Sequence, residues 1–170
     1  PESHPEKLLE SLHSDLVTNI VEELSYDDAT DIVSQLSESK RDEILDRIDE
    51  EDAAEIRKLL IYPEDTAGGL MTTEIVKIHF SLTKKEALEE VALQSEEIEA
   101  FYSIYVVDDA DRLVGTVSLK NLIKAKALIR IDALYDEELI YVETDTDQEE
   151  VAQMLSQYNL PGIPVVDKNR

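Results

Sequence analysis

The chain has 170 residues, of which 40 are Asp or Glu and 16 are Lys or Arg, and its formal net charge is −24. That charge would repel a phosphate backbone, so we expect no nucleic-acid partner. The complete lack of cysteine excludes disulfides, thiolate catalysis and cysteine-ligated zinc. The acidic excess fits either a solvated surface or an affinity for hard divalent cations, and composition does not separate the two.

Residues 12–59 form four consecutive copies of a twelve-residue repeat. Two apolar positions recur, with Leu12, Leu24, Leu36 and Ile48 at the first and Ile20, Ile32, Ile44 and Ile56 at the ninth. A polar residue near the start of each copy is a candidate N-cap, and these are Ser14, Ser25, Ser37 and Asp49. Each copy predicts a short amphipathic helix. Two-turn helices are marginal alone, so we expect them to stack into a superhelix of unspecified hand.

This helical repeat belongs to a predicted all-α first domain, residues 1–67. Its first copy shows no clear partner upstream, so we expect the array to be truncated at its start. Gly68 and Gly69 follow, and we expect them to end the last helix and to permit positive φ.

A second, longer repeat begins after the glycines. Residues 70–88 match residues 134–152, and residues 103–109 match residues 162–168. Each copy reads as a short apolar strand, a helix and a second strand bounded by charged turns. This pattern predicts a duplicated α/β unit.

The first copy of this unit continues into a hairpin and a closing helix, and the second copy does not. "DDADR" at 108–112 predicts a hairpin turn, and Ser118 is the candidate N-cap of a closing helix. The second copy reaches Arg170 where its hairpin should turn. We therefore expect one complete unit over 68–131 and one incomplete unit over 132–170.

The strand–helix–strand–strand–helix duplication resembles a pair of CBS motifs. Together with the helical repeat, the segments "YPEDTAGGLMTTEIV", "YVVDDADRLVGTVSLKNLI" and "YVETDTDQEEVA" resemble the cytosolic region of MgtE-type magnesium transporters. The resemblance implies a helical N domain followed by a CBS pair, a homodimer formed through the CBS motifs, and an attached transmembrane domain beyond this chain. It places the chain at the cytoplasmic face of the cell membrane. The implied function is Mg²⁺ sensing that favours the closed state of the transporter.

Mg²⁺ chemistry suits such a sensor. The ion keeps several waters, so one or two carboxylates and a carbonyl suffice to bind it, and they can come from two facing domains. Without the ion, facing carboxylates repel by about 4 kcal/mol per pair at about 4 Å and an effective dielectric near 20.

The resemblance implies the metal ligands. Asp27 and Asp31 stand four residues apart on one predicted helix face, and Asp28 could substitute. A purely structural alternative is that Asp27 stabilises its own helix dipole while Asp31 is solvated. The backbone carbonyl of Gly69 is a further implied ligand.

Three more implied ligands follow near the end of the chain. They are Glu149, the backbone carbonyl of Ser156, and Asn159, which stands where the family usually has Asp. Asn159 lacks the charge, so a site there should be weaker. Glu149 also fits an ordinary acidic first helical turn.

"GTVSLKN" at 115–121 fits the CBS nucleotide pattern, in which Ser118 and Asn121 would meet a ribose. The resemblance therefore implies ATP as a second ligand. The alternative is that Ser118 only caps a helix, and Ser103 stands where an adenine-stacking aromatic would be. Scattered histidines and the lack of a P-loop or GxGxxG motif predict that the chain is not an enzyme. The alternatives are an adenine-nucleotide-sensing CBS module of another channel or enzyme, and a helical interaction scaffold.

Overall fold

A computed structural model describes residues 5–96, 98, 101 and 103–168, with side chains described from residue 8 onward. The chain divides into two compact units, Pro1–Thr73 and Glu74–Arg170. None of the helices in the described part combines the length and the apolar character that crossing a bilayer requires.

The first unit is all-helical. Its helices are α1 (Pro5–Ser11), α2 (Ser14–Glu22), α3 (Tyr26–Ser34), α4 (Glu38–Leu45), α5 (Glu50–Leu59) and the short α6 (Ala67–Leu70). Helices α2 to α5 start at intervals of twelve residues, as the repeat predicts. The predicted fold class, an all-α N-terminal region followed by an α/β CBS pair, is thereby confirmed for its first part.

The first core is built from the apolar stripe of each helix. Val17, Val33, Ile44 and Ile56 are at most 1% exposed and belong to one cluster of buried side chains. The ninth repeat position is fully buried in the last two copies, whereas Ile32 packs against the cluster from a partly buried position. Burial of each such side chain stabilises the fold by about 1.5–3 kcal/mol.

The predicted N-caps need correction. Helix α2 begins at Ser14 itself, so its N-cap is His13, and Ser25 occupies the N-cap position of α3 without a capping side-chain hydrogen bond. Ser37 precedes α4, but its hydroxyl donates to the Glu10 carboxylate instead of capping α4. Asp49 does cap α5 by accepting from the backbone N–H of Glu51.

Helix α1 was not predicted, because it lies upstream of the periodic segment. Leu9 packs against the first core cluster, so the first repeat copy does have an upstream partner. The expectation of an unpartnered first copy is wrong in this respect.

The expectation for Gly68 and Gly69 is also wrong. Both glycines lie inside α6, and no glycine in the described chain has positive φ. Thr66 caps this helix by accepting from the Gly69 N–H at 3.3 Å. Glycine is required at 69 for space, since an added Cβ would lie 2.2 Å from the Pro63 carbonyl oxygen.

The second unit contains both copies of the α/β repeat. The first copy comprises β1 (Lys77–His79), α7 (Lys84–Gln94), β2 (Ile104–Val107), β3 (Leu113–Val117) and α8 (Leu119–Lys124), and the second comprises β4 (Val142–Glu143), α9 (Gln148–Tyr158) and β5 (Val165–Val166). A short 3₁₀ turn at Ile131–Ala133 lies between them. Strand β1 pairs in parallel with β2, β2 pairs antiparallel with β3, and β4 pairs in parallel with β5. The duplicated strand–helix–strand pattern is present as predicted.

Local signals explain these elements. Thr83 and Glu86 form a capping box at the start of α7. The predicted hairpin turn closes through Asp108, whose N–H donates to the Arg112 carbonyl and whose carboxylate binds the Arg112 guanidinium. Gly115 in β3 lies under the ring of Tyr135, leaving no room for a Cβ.

Candidate metal and nucleotide sites

An acidic patch lies on α3. Asp27 and Asp28 occupy its first turn, and Asp31 follows one turn later. The pKa of Asp31 is raised, first by partial burial and then by the negative charges of Asp27, Asp28 and Glu64. Asp27, Asp28 and Asp31, together with Glu64 from outside α3, are termed the α3 acidic patch below.

The patch is not a preformed metal cage. Among the described residues, no group of three or more His, Asp or Glu side chains converges closely enough to hold a metal ion. Oxygen ligands are nevertheless the right chemistry for Mg²⁺, which binds through one or two carboxylates and keeps its remaining waters. The patch therefore lacks the ligand density of a dry structural site, and a role for it in binding hydrated Mg²⁺ is a prediction.

Gly69 lies in α6, in the same unit as the patch. Its N–H donates to the Thr66 carbonyl at 3.0 Å as well as to the Thr66 hydroxyl. The glycine is thus held firmly in place by its amide side and by the close approach of Pro63.

Helix α9 carries the other three predicted ligands, but at its opposite ends. Glu149 lies in the first turn, where its N–H donates to the Asp147 carboxylate at 2.8 Å. Ser156 and Asn159 lie at the C-terminal end, seven and ten residues later, or about 10 and 15 Å along the axis. Glu149 therefore cannot share one ion with the other two.

At the C-terminal end of α9, a backbone hydrogen bond joins Asn159 to Ser156. Asn159 adopts the left-handed conformation at φ 50° and ψ 46°, and its N–H donates to the Ser156 carbonyl at 3.3 Å. That carbonyl keeps a second lone pair for a ligand. The left-handed C-cap is a sufficient structural reason for Asn at position 159.

Ser118 and Asn121 lie at the start of α8 and are both exposed. The Ser118 hydroxyl oxygen accepts from the Asn121 backbone N–H at 3.1 Å, so the capping role is present. The hydroxyl proton of Ser118 and the side-chain amide of Asn121 are not consumed by that bond.

Two features were not found from sequence. Glu64 joins the electrostatics of the α3 acidic patch from a segment 33 positions after Asp31, and only the acidic "PED" sequence hinted at it. In addition, the His79 ring joins Ser81 to Asp109, with Ser81 Oγ 2.6 Å from Nδ1 and Asp109 Oδ1 3.2 Å from Nε2.

These contacts of His79 with Ser81 and Asp109 stabilise the local turns. Nδ1 accepts from the Ser81 backbone N–H at 3.3 Å, which places the ring proton on Nε2, facing Asp109. The Asp109 side chain is 90% exposed, so the contact between His79 and Asp109 is accessible to water. It ties β1 to the hairpin turn.

Comparison with known proteins decides the family. The MgtE intracellular N domain matches residues 1–65, and the CBS domain matches residues 67–128 and 131–170. The chain belongs to the MgtE family. The resemblance inferred from the repeats and motifs is confirmed, and so is the predicted fold class.

Curated relatives agree with this assignment. The magnesium transporter MgtE of Thermus thermophilus is 43% identical over 115 residues, which is 68% of this chain and 26% of that protein. MgtE of Enterococcus faecalis is 39% identical over 117 residues, again 26% of its length. The chain thus matches about a quarter of the length of these curated relatives.

Two solved structures match nearly all of the chain. The soluble part of a magnesium transporter has a TM-score of 0.86 and 33% identity, covering 95% of this chain and 63% of that one. The cytosolic domain of the Mg²⁺ channel MgtE in complex with ATP has a TM-score of 0.86 and 34% identity, covering 99% and 74%. The domain limits 1–67, 68–131 and 132–170, and every ligand assignment, remain predictions.

Proposed function

We propose that this MgtE-family chain is the Mg²⁺-sensing regulatory region of a magnesium transporter, acting at the cytoplasmic face of the cell membrane. It does no catalysis itself. It works as a homodimer joined through its CBS motifs and attached to its own transmembrane domain. Mg²⁺ bridges acidic surfaces of the N domain and the CBS pair and favours the closed state.

The grouping of Asp27, Asp28 and Asp31 on α3, within electrostatic reach of Glu64, is the observation that carries this proposal. The pKa of Asp31 is raised first by partial burial and then by the negative charges of Asp27, Asp28 and Glu64, so its ionised form is disfavoured both by burial and by repulsion. Binding a divalent cation removes that repulsion, and loss of the cation restores it. The patch therefore converts Mg²⁺ concentration into a change in stability.

The incomplete ligand set of the patch is compatible with a bridging ion. Because no described group of side chains converges into a full metal cage, a bound Mg²⁺ keeps open coordination positions. Those positions are available to further ligands, and the backbone carbonyl of Gly69 is our candidate at this ion. Glu149 at one end of α9, and Ser156 with Asn159 at the other, are our candidates for separate ions. A bridged ion with several waters is weakly held, which suits a reversible sensor.

Calorimetric titration with MgCl₂ tests the proposal, using wild type and two variants. Asp31→Asn should weaken Mg²⁺ binding and reduce the thermal stabilisation that Mg²⁺ gives. Asp42→Asn is the matched control, because Asp42 is an exposed acid on α4 outside the patch. An equal loss of Mg²⁺ affinity in both variants would mean that only the overall negative charge matters. An unchanged Mg²⁺ titration for Asp31→Asn would show that the patch does not bind the sensed ion.

Adenine-nucleotide sensing is the second candidate function. It is favoured by the exposed Ser118 and Asn121 at the start of α8 and by the ATP complex of a structural relative. Asn121→Ala retains the cap, since Ser118 binds the backbone N–H of residue 121. The variant should lose ATP binding in calorimetry while keeping wild-type stability. Equal ATP affinity in both proteins would refute this role.

A further inference from the structure

Lys40 is an almost buried cation in a strongly acidic protein. It lies in the N-terminal half of α4 and is only 9% exposed. Its ammonium donates to the backbone carbonyls of Leu9, Glu10 and Leu12, at 2.9, 2.7 and 2.6 Å. An ammonium has three donor hydrogens, so all of its hydrogen-bonding capacity is spent on the end of α1.

Glu10 makes the reverse connection. Its carboxylate accepts from the Ser37 backbone N–H at 3.1 Å and from the Ser37 hydroxyl at 2.7 Å. These bonds hold the pKa of Glu10 below its usual range. A side chain from α1 thus caps the N-terminus of α4, and a side chain from α4 caps the C-terminus of α1.

Both charges are unfavourable for the helix that carries them. A cation belongs near a helix C-terminus and an anion near an N-terminus, yet Lys40 lies in the first half of α4 and Glu10 in the last turn of α1. Each charge favours only the partner helix. The pair therefore stabilises the α1–α4 junction in particular.

Few described apolar contacts hold α1. Leu9 and Leu12 pack on the first core cluster from partly buried positions, and Leu8 is 63% exposed. The most buried members of that cluster, such as Val17 and Ile44, lie on α2 and α4. The buried members of that cluster all lie C-terminal to α1, and α1 contributes only a partly buried side chain to it.

We propose that α1 is a releasable strap, seated on the helical array by the reciprocal Lys40 and Glu10 caps and able to detach while α2 to α5 stay folded. Release exposes Leu9, Leu12 and the N-terminus of α4. The device is separate from the α3 acidic patch, and it stands whether or not that patch binds Mg²⁺.

Hydrogen exchange followed by mass spectrometry on the full chain tests the strap. In Lys40→Met, amides of residues 8–12 should exchange at least about tenfold faster, since hydrogen bonds to a charged group are lost. The Leu12 N–H, which donates to the Leu9 carbonyl at 3.2 Å, is the key reporter. Amides of α5 should keep their wild-type rates. Lys58→Met is the matched control, because Lys58 pairs with Glu55 inside α5 and should leave residues 8–12 unchanged.

Glu10→Gln keeps the test decisive if Lys40→Met folds poorly, because it changes only an exposed side chain. It should also speed exchange in residues 8–12, and the double variant should show less than the product of the two single effects, because both residues hold the same junction. Wild-type exchange in residues 8–12 of Glu10→Gln, or an equal rise across α1 to α5, would overturn the proposal. Loss of the Mg²⁺ response alone would count against the sensor function and leave the strap intact.

Discussion

Replacing Asp31 by Asn should make the protein more stable in the absence of divalent cations. The folded-state pKa of Asp31 is raised, so its ionised form is disfavoured in the folded protein. That penalty is absent below the unfolded-state pKa and fully present above the folded-state pKa. Wild type therefore loses this part of its stability as the pH rises from about 4, the ordinary value for Asp, and Asp31→Asn does not.

The size of the gain follows from helix geometry. Asp31 faces Asp27 at four residues and Asp28 at three, and each like-charge pair of this kind costs about 0.2–0.5 kcal/mol. Because the Asp31 side chain is only slightly buried and its interactions are screened by water, we take the lower half of the sum, about 0.5 kcal/mol. For a unit of this size such a gain raises Tm by about 2–4 °C.

Thermal unfolding in chelator at pH 7 and low salt measures the effect, with Asp27→Asn as the matched control. Asp27 lies in the first turn of α3, where its charge also favours the helix dipole, so its removal should give no gain or a small loss. The Asp31→Asn gain should shrink in about 1 M salt, where the Debye length is about 3 Å. A lower Tm for Asp31→Asn, or equal gains in both variants, would refute the reasoning.

Three further predictions concern packing and pH. Gly69→Ala should destabilise the first unit by about 1–3 kcal/mol in denaturant unfolding, because the new Cβ would lie 2.2 Å from the Pro63 carbonyl oxygen; a stabilised variant would contradict this. Gly115→Ala should destabilise the second unit by a similar amount, about 1–3 kcal/mol, and move the ring of Tyr135, visible in tyrosine fluorescence or NMR. The Arg112 guanidinium beside Asp108 holds the pKa of the Asp108 carboxyl at about 2. The stability of the folded protein should therefore fall as the pH drops from about 4 towards 2, and Asp108→Asn should abolish that part of the acid transition.

Periodicity carried most of the fold prediction. The twelve-residue spacing places α2 to α5 because apolar positions recurring on one helix face must be buried together. The duplicated α/β unit was equally visible, since its strands are apolar runs separated by charged turns. Helix α1 is not predicted because it lies upstream of the periodic segment, and its polar bonds to Lys40 and Ser37 leave no periodic pattern in the sequence.

Residue-level roles were harder to predict. The sequence predicts that Gly69 adopts positive φ, which is wrong. The structure requires glycine there because the Pro63 carbonyl approaches too closely for a Cβ. Close approach between segments is a tertiary property that composition does not encode. The influence of Glu64 on Asp31 is of the same kind, since it depends on how the chain returns to α3 after α5. The i, i+4 relation of Asp27 and Asp31 was predictable because it lies within one helix.

Small-angle X-ray scattering, with and without Mg²⁺ at matched ionic strength, tests the central claim most directly. If Mg²⁺ bridges the acidic surfaces of the N domain and the CBS pair, the radius of gyration should fall on adding millimolar MgCl₂. Asp31→Asn should show less of that decrease, while Asp42→Asn should behave as wild type. An identical radius of gyration in chelator and in excess Mg²⁺ would contradict the account.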